Sequence, residues 1–193
     1  MSFQLLEKYH HENDEYLKKE ALIKSAIALN FYFDLSGQDL SDDEYKKALA
    51  EQFVGIKHWF KKEIILFANI QLLLNSEEVY KLSRSLISEV HNQDLVSVVT
   101  SNTLLNAVFV LVKDKQPDKA KVILNTTSKL NYSKNDLLTN VRIKFMNALL
   151  AYIDTHKKYV ISQFLDSLED KNLKESYTFA FLQIKYIYNF GNN

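Results

Sequence analysis

Apolar residues recur along most of this chain at intervals of three and four positions, the spacing that places side chains on one face of an α-helix. Over the first 40 residues the pattern is loose, and it predicts a leading helix that stops at Gly37. Ser41, with Glu44 three residues later, predicts a capping box at the start of the next helix. The helices predicted after it lie at about 42–53, 57–74, 75–92, 94–114, 117–130, 134–155, 157–169 and 173–190.

The short polar links between the later helices are typical of antiparallel helical hairpins. Pro117 suits the first turn of its helix, where its missing N–H needs no partner. Ala120 is small enough for the close helix packing of tetratricopeptide repeats, although the full repeat consensus is absent. We therefore predict a single all-α domain over residues 1–193, with a leading helix over 1–40. Over residues 41–193, helical hairpins are expected to stack as a tetratricopeptide-like right-handed α-solenoid.

Composition supports a helical protein and excludes several kinds of chemistry. Only 3 Gly and 1 Pro occur in 193 residues, too few for the tight turns of a β-sandwich or the loops of an α/β fold. The chain has no Cys, which excludes disulfides, thiol catalysis and zinc–thiolate sites.

Charge and hydropathy restrict the kinds of partner that this chain can bind. The 24 basic and 24 acidic side chains cancel, and Arg84 and Arg142 are the only arginines. Duplex DNA is usually bound by a basic face, so we expect no DNA binding by this chain alone. The most apolar stretches, 64–74 and 104–112, are shorter than the roughly 20 residues that span a bilayer. No signal peptide is visible at the N-terminus, so we expect a cytoplasmic protein with no membrane association.

The sequence shows no pattern typical of an enzyme or a metal site. Glu7 and His10 have the spacing of a carboxylate-bridged metal site, but no second copy of that motif occurs. Neither a GxSxG turn, nor a phosphate-binding glycine loop, nor an HExxH motif is present. We therefore expect no catalytic residues, no metal and no cofactor. A helical-bundle enzyme would instead require a buried polar cluster with a strongly shifted pKa.

Asparagines within apolar helices are the most informative polar residues. Asn102 and Asn106 lie one turn apart and share a face with Phe109. An asparagine amide in such a place must find hydrogen-bond partners. It could tie down a neighbouring helix, or it could bind the backbone of an extended peptide. The sequence leaves both interpretations open.

Aromatic residues are concentrated in the last predicted helix, where they occur on more than one face. This pattern favours a helix contacted from two sides, by its own domain and by a second subunit. We therefore predict a homodimer whose interface contains Tyr177, Phe181, Tyr186 and Phe190.

One stretch resembles the C-terminal domain of the Rgg/MutR/GadR-type transcriptional regulators of Gram-positive bacteria. It begins at Gln52-Phe53-Val54 and continues through KHWFKKEIILFANIQLLLNSEEVYKLSRSLI. The residues that match the family pattern are Trp59, Glu63, Leu66, Phe67 and Asn69, followed by the acidic helix start Glu77-Glu78. The segments LLNAVFVLV, DKAKVILNTTSKL and VRIKFMNALLAYI extend the similarity, which runs from about 40 to 187.

The resemblance implies a helical-repeat domain that dimerises and binds a short signalling peptide on its concave face. In that family a DNA-binding helix-turn-helix domain precedes it, and no such motif is recognisable before residue 40 here. The alternative hypothesis is a stand-alone helical-repeat scaffold for protein–protein interaction. In the peptide-sensing hypothesis Arg142 would hold a peptide carboxylate and aromatic rings would form apolar walls. The residues predicted to bind peptide are Asn69, Asn102, Asn106, Phe109, Arg142, Asn147 and Tyr152.

Overall fold

The computed structural model describes residues 2–92, 97–130 and 136–188. Over these ranges the chain forms ten α-helices and one short 3-10 turn, with no strand. The all-α fold class predicted from the sequence is therefore confirmed. The helices belong to two compact units, Met1–Gln93 and Asp94–Asn193.

The N-terminal unit is built around a helical hairpin. Its first two helices pack along each other, and the 3-10 turn and the third helix contact the second. Leu72 N–H donates to Asn30 Oδ1 of the second helix at 3.0 Å, which fixes the 3-10 turn against it. The elements are α1 (Ser2–His11), α2 (Glu15–Ser36), α3 (Asp43–Glu51), α4 (Lys61–Ala68), the 3-10 turn (Gln71–Leu73) and α5 (Ser76–Asn92).

The C-terminal unit consists of five helices that pack with their neighbours in sequence. Its first and third helices also contact each other directly, as the first helices of successive hairpins do. Ala120 is completely buried, as its expected role in close packing requires. The elements are α6 (Val98–Lys113), α7 (Pro117–Thr127), α8 (Leu137–Thr155), α9 (Tyr159–Asp166) and α10 (Lys171–Tyr188).

The predicted leading helix over 1–40 is wrong, because two helices occupy this region. The side chain of Asp14 accepts a hydrogen bond from Leu17 N–H at 2.9 Å and caps the start of α2. The chain therefore leaves the helical conformation between His11 and Asp14. Gly37 ends α2 as predicted, with φ +71° in the left-handed region that favours glycine.

The capping box predicted at Ser41 is also wrong, because the next residue caps the helix. Asp42 Oδ1 accepts from Tyr45 N–H at 2.7 Å, while Ser41 N–H donates to Asp39. A true capping box occurs where the acidic helix start was predicted. Asn75 Oδ1 accepts from Glu78 N–H at 2.9 Å, and Glu78 Oε2 accepts from Asn75 N–H at 3.1 Å.

The helix predicted over 57–74 is shorter than expected. Gly55 turns the chain with φ +77°, and α4 begins only at Lys61. Trp59 lies just before it, 2% exposed, and its indole N–H donates to Ser85 Oγ on α5 at 3.1 Å. Trp59 thus anchors a non-helical segment, which explains why an apolar pattern continued through a break in the helix.

A buried polar contact lies in the core of the N-terminal unit. Tyr45 Oη lies 2.6 Å from Ser25 Oγ and 3.1 Å from the carbonyl oxygen of Leu22. Ser25 Oγ also lies 2.8 Å from the Ala21 carbonyl. Tyr45 and Ser25 are completely buried. We refer to Tyr45, Ser25 and the Leu22 carbonyl as the Tyr45 contact.

Candidate functional site

Helix α6 is mostly buried beyond its first turn, but one of its faces is half-buried. Ser97 caps its first turn by accepting from Thr100 N–H at 3.2 Å. Asn102, Asn106 and Phe109 are half-buried, whereas the residues between them are buried. Their spacing of three and four positions places them along one side of the helix.

Arg142 on α8 brings the two amides of this face together. Its Nη1 donates to Asn102 Oδ1 at 2.7 Å, and its Nη2 donates to Asn106 Oδ1 at 2.6 Å. Asp136 caps α8 by accepting from Thr139 N–H at 3.1 Å, and Arg142 is therefore about one and a half turns into the helix. We call Asn102, Asn106 and Arg142 the Arg142 cluster. The sequence placed all three among the predicted peptide-binding residues.

The guanidinium of Arg142 has no carboxylate partner within the described ranges. Burial lowers the pKa of Arg142, and the neighbouring Tyr177 and Asp136 oppose that shift. An arginine guanidinium nevertheless keeps its charge at any physiological pH. The Arg142 cluster is thus a half-buried positive charge held by neutral amides.

An aromatic ring one turn further along α8 packs with rings of α9 and α10. Phe145, three residues after Arg142, contacts the ring of Tyr177 with centroids 4.6 Å apart. Phe164 packs against both rings, at 5.6 Å and 5.5 Å. Burial raises the pKa of Tyr177, while Arg142 acts in the opposite direction. Sequence analysis did not select Phe145 or Phe164, although the spacing of Phe145 from Arg142 is a signal that could have found it.

Phe109 extends the polar face of α6 with an apolar surface. It is half-buried, and Lys113 Nζ lies 5.9 Å from the centroid of its ring. This face of α6 therefore combines amide groups, an aromatic ring and a cation.

Two of the predicted amides are used within their own helices. Asn69 ends α4 in the N-terminal unit, and its Nδ2 donates to the Ile65 carbonyl at 2.7 Å. Asn147 Nδ2 on α8 donates to the Ile143 carbonyl at 2.9 Å. Five positions separate Asn147 from Arg142, which turns them about 140° apart around the helix. The structure thus does not bring Asn147 into the Arg142 cluster.

Two predicted surface rings lie instead in the core of the C-terminal unit. Tyr152 is 4% exposed and Phe181 is 3% exposed, and their rings meet edge to face at 5.0 Å. Tyr152 therefore forms no apolar wall at a surface, and Phe181 does not face a second subunit. Tyr177 likewise packs on its own unit, as described above. Tyr177 and Phe181 turn inward because the other helices of the unit cover that side of α10.

The opposite side of α10 is apolar and exposed. Phe179, Leu182 and Tyr186 are 64%, 52% and 87% exposed, at helical spacings of three and four positions. We call these three residues the α10 stripe. Tyr186 was predicted to lie in a dimer interface, whereas Phe179 and Leu182 were not. Phe190, the remaining predicted interface residue, lies outside the described residues.

Two further findings concern metal binding and membrane-spanning helices. In the described part of the chain, no group of three or more His, Cys, Asp or Glu side chains is arranged to hold a metal ion. None of the helices there combines the length and the apolar character that a membrane crossing needs.

Comparison with known proteins supports the resemblance seen in the sequence. The family model for the C-terminal domain of the HTH-type transcriptional regulator Rgg matches residues 3–186. No curated protein sequence matches the chain significantly.

Two solved structures show a similar fold. One is the SHP pheromone receptor Rgg2 of Streptococcus dysgalactiae, with a TM-score of 0.65 and 14% identity over 95% of this chain and 78% of that chain. Another is a putative transcriptional regulator from Listeria monocytogenes EGD-e, with a TM-score of 0.69 and 13% identity over 98% of this chain and 69% of that chain. Because the family model covers nearly the whole chain, this protein belongs to the family of Rgg C-terminal domains, which is not a family of enzymes.

Proposed function

We propose that this chain is the ligand-sensing and dimerisation domain of a transcriptional regulator, and that its ligand is a short signalling peptide. Family membership supports the regulatory role. A structure of similar fold is that of a pheromone receptor. The observation that carries the proposal is the Arg142 cluster, where helices α6 and α8 present polar groups side by side.

The Arg142 cluster and Phe109 have the properties that a bound peptide would need. An extended peptide exposes backbone N–H and C=O groups, which amide and guanidinium groups can bind with little demand on side-chain sequence. Phe109 adds a half-buried apolar surface on the same face of α6. Asn69 and Asn147 contribute less to this proposal, because their amide N–H groups already donate within their own helices.

The proposal is tested by selecting peptides from culture medium conditioned by the native host. The immobilised chain should retain a short peptide, identified by mass spectrometry, and the Arg142→Ala variant should lose it. Arg84→Ala is the matched control, because Arg84 is exposed on α5 and its only hydrogen-bond partner among the described residues is Tyr80 of the same helix. Retention of the same peptides by wild type and Arg142→Ala would refute binding at this cluster.

We further propose that the chain forms a homodimer through the α10 stripe. A twofold axis crossing α10 near its middle would pair Phe179 of one copy with Leu182 of the other. The same antiparallel arrangement would bring Glu175 near Lys185 of the second copy, which places opposite charges across the interface. A neutral chain adds little net repulsion to such an association.

Sedimentation at micromolar concentration tests this assembly. Wild type should sediment as a dimer, and Leu182→Glu should sediment as a monomer because it places two carboxylates in the interface. A monomeric wild type would refute the dimer. The alternative function, a scaffold for protein–protein interaction, is favoured by the same exposed stripe. It predicts a monomer that retains no peptide from the medium.

As the sensing part of a regulator acting in the cytoplasm, the chain should not bind duplex DNA by itself. Its net charge is zero, and Arg84 and Arg142 are its only arginines. Direct reading of bases relies mainly on arginine side chains, and phosphate binding relies on an excess of lysine and arginine. A mobility-shift assay at physiological salt should show no sequence-dependent retardation of genomic fragments, and such retardation would refute this expectation.

A further inference from the structure

The orientation of the two amides in the Arg142 cluster restricts what can bind there. A guanidinium can only donate hydrogen bonds, so each asparagine must turn its oxygen toward Arg142. Both oxygens are within 2.7 Å of the guanidinium. The amide nitrogens of Asn102 and Asn106 therefore point away from Arg142, and neither makes a further hydrogen bond in the described part of the chain.

Most of the groups that remain in the cluster are donors, because each amide oxygen already accepts one bond from Arg142. Arg142 uses two of its five N–H groups in these bonds, and each asparagine keeps its NH₂ group. All three side chains are half-buried, so part of each reaches solvent while the charge is partly desolvated. A neutral peptide backbone offers equal numbers of donors and acceptors, so it would leave many donors of the cluster unused.

We infer that the Arg142 cluster is an anion site that takes a carboxylate, and that the peptide sensed by this domain is recognised through a carboxylate group. This inference rests on the proposed function for the identity of the ligand, but the anion site itself does not. A carboxylate has two oxygens and no N–H group, so it accepts from the guanidinium and from the amides together. It also places a negative charge in direct contact with Arg142, which has no ion-pair partner in the described part of the chain.

Propionate tests the site without any knowledge of the peptide. Because the chain has only two arginines, arginine-selective ¹⁵N labelling gives one side-chain Nε signal for each, and Arg84 serves as the internal control. Titration with propionate should shift the Arg142 signal to saturation and leave Arg84 unchanged. Propionamide, which has nearly the same shape but no charge, should shift neither. No shift at Arg142, or an equal and unsaturated shift at both arginines, would overturn the anion site.

An internal carboxylate provides the second test. In Asn102→Asp the new carboxylate lies where the amide oxygen now accepts from Arg142 at 2.7 Å, so the cluster neutralises itself. This variant should lose the propionate response and should melt at a higher temperature than wild type. Asn147→Asp is the matched control, since Asn147 is exposed on α8, the helix of Arg142, and its only hydrogen-bond acceptor in the described part of the chain is the Ile143 carbonyl. An undiminished propionate response in Asn102→Asp would contradict the inference.

The two proposals fail in different ways. A retained peptide should bind about 10–150-fold more weakly once its carboxylate is converted to an amide, the effect expected of a charge-assisted hydrogen bond. Equal binding of acid and amide forms would overturn the carboxylate inference and leave peptide sensing intact. Saturable propionate binding at Arg142 in a chain that retains no peptide would support the anion site and refute peptide sensing.

Discussion

The Tyr45 contact of the N-terminal unit and the Arg142 cluster of the C-terminal unit both join helices through polar side chains, but they differ in what they leave unbonded. Tyr45 and Ser25 are completely buried, neutral and supplied with carbonyl acceptors. The Arg142 cluster is half-buried and charged, and it keeps several unused donors.

The difference separates a contact that stabilises a fold from one that can receive a ligand. A buried polar group is tolerated only when its hydrogen bonds are made within the protein, as those of Tyr45 are. A charge that is neither fully hydrated nor paired is costly, and a bound counter-charge relieves that cost. We therefore expect substitutions at Tyr45 to act on stability, and substitutions in the Arg142 cluster to act on binding.

Removing the Tyr45 ring should have the largest effect. Tyr45 is completely buried and packs edge to face on Tyr9 with ring centroids 5.2 Å apart. Tyr45→Ala should lower the free energy of unfolding by about 3–5 kcal/mol, as loss of a large core aromatic does. Urea denaturation measures the change. Tyr159→Ala, at a position 59% exposed, should shift it by less than about 0.5 kcal/mol. Equal effects at both positions would contradict the buried placement of Tyr45.

Alkaline pH should weaken the Tyr45 contact, because the Tyr45 hydroxyl loses its proton. Burial raises the pKa of Tyr45 from 10.0 to about 12. Because the folded state holds this proton more tightly than the unfolded state, its contribution to stability is complete below pH 10 and is lost between pH 10 and about 12. A two-unit shift corresponds to about 2–3 kcal/mol.

Urea denaturation over that pH range checks this prediction, with Tyr45→Phe as the comparison. Tyr188 of the C-terminal unit also has a pKa raised to about 12 by burial, so wild type has a second contribution. Tyr45→Phe should therefore reduce the alkaline loss of stability without abolishing it. An identical pH dependence in wild type and Tyr45→Phe would contradict the prediction.

At neutral pH, removal of the Tyr45 hydroxyl alone should have a smaller effect. Tyr45→Phe keeps the ring and removes the bonds to Ser25 and to the Leu22 carbonyl. Ser25 Oγ retains the Ala21 carbonyl as an acceptor, so the loss should be about 0.5–1.5 kcal/mol. Thermal melting gives the value. A loss as large as that of Tyr45→Ala would show that the hydroxyl, rather than the ring, maintains the packing.

The sequence predicted helical segments and caps well where one residue type had a single favourable role. Gly37 ends α2 and Asn75 opens α5 as expected. It failed where two neighbours could perform the same role. Ser41 and Asp42 are both good N-caps, and Ser41 instead donates to Asp39. The break before α4 was also missed, because Trp59 continues the apolar pattern while lying outside any helix.

The candidate site could be predicted only in part, for a related reason. Helical spacing correctly grouped Asn102 with Asn106, but spacing within a helix does not say which amides bond to their own helix, as Asn147 does. Inward and outward rings were confused on α10, because both of its faces are apolar. Phe181 is buried there, while Phe179 is exposed. Contacts with neighbouring helices decide this, and they are not encoded in local spacing.

Calorimetry of Asn106→Ala with the peptide retained from conditioned medium, paired with a melting curve, tests the central claim most directly. Asn106 accepts from Arg142 at 2.6 Å and keeps its NH₂ group for a ligand. If the cluster binds peptide, the variant should bind about 5–150-fold more weakly and melt at the wild-type temperature. Unchanged binding together with a lower melting temperature would show that Asn106 only ties α6 to α8, and would contradict the account.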